Sequence, residues 1–112
     1  MSDVSAANRR IHSRRSVRLV ARLSHGSDAV EGTVENVGEG GIFFATHNLE
    51  IDVDEGATAV IAFTWIRKGA TESVERTGTI LRTERYFDGE AVVRAFAMKF
   101  DDLLSLDGIA FE

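Results

Sequence analysis

Apolar side chains recur at every second position in run after run of this chain, and no stretch carries them at the spacing of a long amphipathic helix. A period of two is what a half-buried β-strand needs, because successive side chains leave opposite faces of the pleat. Val17, Leu19, Ala21 and Leu23 alternate with Arg18 and Arg22 in a first strand over 16–24, and Val30, Gly32 and Val34 alternate with Glu31, Thr33 and Glu35 in a second. A glycine-rich corner, Asn36 to Gly41, leads straight into a third strand, Ile42 to Thr46. Ala59, Ile61, Phe63 and Trp65 mark a fourth, and Phe96, Met98 and Phe100 mark a last strand over 91–100. The fifth, over 74–85, is rich in Thr and Val but has arginines on both faces, so its register stays open. His25 to Asp28, Arg67 to Ala70 and Tyr86 to Gly89 read as turns between them.

Six short strands with frequent turns predict an all-β fold, an antiparallel barrel or sandwich. With 112 residues and 44% hydrophobic content there is material for one core and not for two. The expected organisation is a flexible basic segment over 1–14, a barrel over 15–102 and a tail over 103–112, in which Leu103 to Phe111 forms a short C-terminal helical segment. Zero cysteines exclude disulfides and thiolate metal sites, and a reducing cytoplasm is the expected compartment. No apolar run approaches the ~20 residues of a membrane span, and the opening residues lack the apolar stretch of a signal peptide.

Charge is divided unevenly. Residues 1–22 hold six arginines (Arg9, Arg10, Arg14, Arg15, Arg18, Arg22) against Asp3, a net of +5, whereas residues 23–112 carry a net of −10. Such asymmetry suggests either a basic segment that meets an anionic partner or a solvated basic tail. Nothing in the sequence assembles a catalytic group: His12, His25 and His47 stand in predicted loops outside any motif, so no enzyme is expected. Asp52 and Asp54 do not open a calcium loop, because Gly56, Ala57 and Phe63 occupy positions where such a loop needs an acid or Asn, a Gly and a bidentate Glu. No metal and no cofactor is expected. The aromatic residues Phe43, Phe44, Phe63, Trp65, Phe96 and Phe100 alternate with small or polar ones and read as barrel core in preference to a base-stacking platform.

Two segments together resemble a known family. Arg10-Ile11-His12-Ser13-Arg14, preceded by Arg9 and entering a strand, resembles the Arg-x-x-x-Arg signature of PilZ domains. Asn36-x-Gly38-x-x-Gly41, between the second and third strands, resembles their Asp/Asn-x-Ser-x-x-Gly signature, with Gly38 in place of Ser. The order matches, one hairpin separates the two, and Ala97-Met98-Lys99-Phe100 resembles the family's closing strand. The resemblance spans about residues 9–104. It implies a six-stranded antiparallel PilZ-type β-barrel with a C-terminal helix that binds cyclic di-GMP, through Arg9, Arg10, Arg14, Asn36, Gly38 and Gly41. A second frame, Arg14-Arg15-Ser16-Val17-Arg18, also fits the arginine signature, but Arg18 falls inside the first strand.

The chemistry is apt: the messenger carries two phosphodiester charges and acceptor-rich guanine edges, and a guanidinium fork matches both. The resemblance further implies a receptor whose arginine loop closes on ligand and thereby alters the surface offered to an unidentified protein effector. The chain is expected to be monomeric or weakly dimeric, with no membrane and no nucleic-acid partner. The alternative implied by Gly38 is an adaptor of the same fold that no longer binds nucleotide.

Overall fold

The computed structural model describes residues 14–110, with Arg14 by its backbone alone. Six antiparallel strands follow in order: β1 (Arg14–His25), β2 (Asp28–Gly38), β3 (Gly41–Thr46), β4 (Thr58–Arg67), β5 (Ala70–Phe87) and β6 (Val92–Phe100). They close into a barrel in the order β1-β2-β3-β6-β5-β4. Closure answers the problem that an open sheet leaves two unpaired edges.

The alternation expected from sequence fills the barrel. Leu23, Val34, Ile42, Phe44, Ile61 and Phe96 are fully buried, and Phe63, Trp65 and Phe100 are buried with them. Phe44 and Phe96 meet at 6.4 Å between ring centroids, within the usual range for an aromatic pair. Phe43 differs from the other aromatics. It packs with Ala45, Val93 and Ala95 in a second small cluster, apart from the main core, on the outer face of β3 and β6. The four-acid loop before β4 also contributes to the core: Glu50, Asp52, Asp54 and Glu55 are exposed, while Ile51 and Val53 between them are buried. Arg94 holds that loop by donating to the carbonyls of Ile51 and Val53, with its guanidinium 5.0 Å above the Phe96 ring.

Three bulges set where side chains point. On β1, Val17 and Arg18 together stand against Glu35, because Ser16 pairs with Asn36 and Leu19 with Val34. Against β3, Glu35 is itself the extra residue, since Val34 pairs with Phe44 and Asn36 with Phe43. The extra residue shifts the alternation, so that Val34 and Val37 both reach the core. On β5 the extra residue is Leu81, between the pairs Ile80–Met98 and Arg82–Ala97. That insertion settles the register of β5, which its arginines had left open.

Two expectations are corrected. Tyr86 and Phe87 extend β5, paired with Val93 and Val92, and the turn begins only at Asp88, whose carboxylate accepts the amides of Glu90 and Ala91. The segment after β6 contains no helix among its described residues. Leu104 is buried in the core, its amide donates to the Glu39 carbonyl, and the carbonyls of Ser105 and Asp107 accept from the Arg67 guanidinium. Gly108 has φ +77°, and Ala110 donates to the Ile66 carbonyl. A backbone held by groups on a distant strand, with a left-handed residue in its middle, has no use for the helical i→i−4 ladder.

Candidate functional site

The ladder between β1 and β2 brings the two singled-out segments together. Arg14 pairs with Gly38, Arg15 with Val37 and Ser16 with Asn36. Twenty-four positions apart in sequence, Arg14 and Gly38 are direct cross-strand neighbours, a relation that puts their Cα atoms on the order of 5 Å apart. Arg9 and Arg10 lie outside the described residues, as does the rest of the segment over 1–13.

The glycine corner is tied down. The Glu39 carbonyl accepts from Leu104 and the Gly40 carbonyl from Phe100, so the corner is fixed to the end of β6 and to the segment after it. Gly41 is buried, and a Cβ there would stand 2.2 Å from the Met98 carbonyl oxygen. Glycine is required at 41 by the close approach of β6, and not by a left-handed backbone.

Residues directly opposite in a ladder share a face, so the register identifies what lies beside Asn36. Asn36 pairs with Phe43, Phe43 with Ala97, and Ala97 with Arg82. Phe43 belongs to the outer cluster, which places Ser16, Asn36, Phe43, Ala97 and Arg82 in one row across the outside of five strands. Arg82 is therefore on the Asn36 face. Its Nε donates to Glu84 at 2.7 Å in an exposed ion pair. Sequence alone did not single out Arg82 as a site residue, because its face depends on the Leu81 bulge.

Beside this row lies a recess of about 500 Å³ lined by Arg18, Thr33, Glu31, Glu35, Tyr86 and Asp88, among others. It is acidic. Burial pushes the Tyr86 hydroxyl pKa up, and the charges of Glu35, Asp88 and Glu84 add to that shift. Asp88 is held down to about 2 by the Ala91 amide, by His47 (3.0 Å away) and by the Glu90 amide. A dianion is repelled by this surface unless cations come with it. Arg18 lines the recess, Arg82 and Lys99 stand on the outer face of β5 and β6, with Lys99 paired to Gly41, and Arg9, Arg10 and Arg14 stand in or next to the segment that enters β1. No group of three or more His, Asp or Glu among the described residues is arranged to hold a metal ion. No helix among them is long and apolar enough to cross a membrane.

No family model matches the chain, and no curated protein matches it by sequence. Solved structures do match. The inhibitor of motility MotI/DgrA of Bacillus subtilis superposes with a TM-score of 0.72 at 14% identity, over 86% of this chain and 44% of that one. This chain thus spans less than half the length of that protein. The PilZ domain of YcgR from Escherichia coli, solved with cyclic di-GMP, superposes with a TM-score of 0.63 at 12% identity, over 83% of this chain and 78% of that one. The likeness is one of fold: the chain has the architecture of a PilZ domain.

Proposed function

We propose that the chain is a cyclic di-GMP receptor that acts by contact with a protein effector, and that it is not an enzyme. The observation that carries this reading is the pairing of Arg14 with Gly38, which unites an arginine-rich segment and a glycine corner at one end of a PilZ-type barrel. Arg9, Arg10 and Arg14 supply guanidinium forks for the two phosphodiesters and the guanine edges. Asn36 supplies an amide that both donates and accepts, and Arg82 adds a cation from the far side of the outer row. The glycine at 38 removes one hydroxyl, a loss of ~0.5–1.5 kcal/mol, whereas each charge-assisted bond from arginine contributes ~1.5–3 kcal/mol. The arginines therefore outweigh the missing serine. Closing of the segment before β1 on the ligand then changes the surface at the Arg14 end of the barrel, which is what an effector reads.

The acidic recess supports a second reading, an adaptor of the same fold that binds no nucleotide. Amide chemical-shift mapping separates the two. In the receptor reading cyclic di-GMP shifts Asn36, Gly38, Gly41 and Arg82 and leaves the far hairpin at Lys68 and Gly69 unmoved. In the adaptor reading the spectrum does not change.

A further inference from the structure

β5 outruns β4. It has 18 residues against ten, and their pairing stops at Thr79 opposite Thr58. The next residue is still covered, because Ile80 donates to the Ala57 carbonyl and its own carbonyl accepts from the Gly56 amide. Beyond the Leu81 bulge, residues 82–87 pair on one side only, with Ala97 to Val92 of β6. The β5–β6 hairpin therefore projects past β4 with one backbone edge bare among the described residues.

Alternation decides which groups that edge presents, since successive residues of an antiparallel strand turn their N–H and C=O groups to opposite sides. Asp88 donates its amide to the Ala91 carbonyl, so it faces β6. Phe100 of β6 donates to Gly40, on the β3 side, so Ala97, Ala95 and Val93 face β5. Both ends give the same answer: Arg82, Glu84 and Tyr86 bond β6, whereas Thr83, Arg85 and Phe87 turn their amides and carbonyls outward. Without the extra residue Leu81, the parity set by Ile80 would be reversed. A row of outward donors and acceptors is a template for one more strand.

We propose that this edge docks an extended acidic segment of a partner protein, which adds to β5 as a further strand. Side chains set the partner's chemistry. Thr83, Arg85 and Phe87 share a face with Phe96, Arg94 and Val92, to which they are paired. Arg85 and Arg94 therefore stand directly opposite each other, and like charges so placed repel. Arg94 is held by the carbonyls of Ile51 and Val53, whereas Arg85 is exposed and has no carboxylate partner among the described residues. A carboxylate on the added strand, opposite Arg85, relieves that repulsion. Two residues along, Phe87 and Val92 are 67% and 42% exposed and offer an apolar contact, so the partner segment is acidic at one position and apolar two positions away.

A second copy of the chain does not fit. Two antiparallel copies keep their faces aligned only in registers centred on a residue. Centred on Glu84 or Arg85 they oppose like charges, and centred on Tyr86 they set Glu84 against Asp88. Centred on Thr83 they run into Ala57 and Thr58, and centred on Phe87 they overlap only at the hairpin tip. The proposal stands apart from the nucleotide reading, since neither Arg14 nor the glycine corner takes part.

Amide hydrogen exchange of the full chain tests the edge itself. Thr83, Arg85 and Phe87 are expected to exchange fast and Arg82, Glu84 and Tyr86 slowly. Protection of the first three in the free chain, whether constant or rising with protein concentration as a second copy would produce, overturns the proposal. The probe for docking is the capped peptide Thr-Val-Thr-Glu-Thr-Val-Thr, beside the same peptide with Lys at its centre. The Glu peptide is expected to protect Thr83, Arg85 and Phe87 and to bind at least about tenfold more tightly than the Lys peptide, and Arg85→Glu to reverse that preference, with a thermal melt to confirm that the variant is folded. No protection by the Glu peptide, or equal binding of the two peptides to the unmodified chain, overturns the proposal.

Discussion

Arg14 and Gly38 face each other across the first rung of the β1–β2 ladder, so the last arginine of the basic segment and the one departure from the family's serine occupy neighbouring positions. Whatever approaches one meets the other. In strand geometry Gly38 also lies two residues from Asn36, and hence on the same face of β2.

Arginine substitutions follow from that geometry. Arg14→Ala and Arg10→Ala should each weaken cyclic di-GMP binding by ~1.5–3 kcal/mol, about ten- to a hundredfold or more, with the melting temperature unchanged. Arg18→Ala is the control for frame: its side chain is exposed at the acidic recess, within β1. Calorimetric affinities for the three variants check this, and an Arg18→Ala loss equal to that of Arg14→Ala would show that the second frame carries the ligand.

Arg82 is the contribution of register. Arg82→Ala should weaken binding as well, though less than Arg14→Ala, because part of its charge is already shared with Glu84. Glu84→Gln should act in the opposite direction, tightening binding by removing both the competitor and one unit of negative charge. Affinities measured at low and physiological salt check the pair, and equal affinities for wild type and both variants would remove Arg82 from the site.

At the glycine corner the two positions should behave differently. Gly38→Ser places a hydroxyl on the Asn36 face and should tighten binding by ~0.5–1.5 kcal/mol. Gly41→Ala should destabilise the fold by ~1–3 kcal/mol, because its Cβ would lie 2.2 Å from the Met98 carbonyl oxygen, which belongs to the β6 backbone and cannot step aside. Urea denaturation beside titration separates the effect on folding from the effect on binding.

Asp88 makes a prediction for acid. Its folded pKa of about 2 lies below the ordinary value of 3.8, so its contribution to stability is complete above the unfolded pKa and fades as pH falls from about 4 towards 2. The gap in melting temperature between wild type and Asp88→Ala should be constant near neutrality and narrow across that window. A gap that widens with acid would mean that the turn amides and His47 do not stabilise the carboxylate.

Much of the barrel could be read from local pattern, and the exceptions have a common cause. Alternation at 17–23, 59–65 and 96–100 reports which face meets the core, and that is decided within each strand. The bulges at Glu35 and Leu81 are decided between strands, since an extra residue is extra only with respect to a partner. For that reason the sequence alone assigns Val37 to the corner and does not single out Arg82, although both places are visible once register is known. The helix expected after Leu103 failed because Arg67, nearly forty residues earlier, binds the carbonyls that a helix would have used. At the site, Asn36, Gly38 and Gly41 could be singled out because glycine at fixed spacing is a local signal, while the neighbourhood of Arg14 and Gly38 is a property of the ladder.

The most direct test of the receptor reading is calorimetric titration of the full chain with cyclic di-GMP, beside Arg14→Ala in the same buffer and with a melt on each sample. The account predicts saturable binding in the wild type that is weakened at least about tenfold in the variant, with both proteins folded. A folded wild type that gives no binding heat at several temperatures, or one that binds no better than Arg14→Ala, would contradict it.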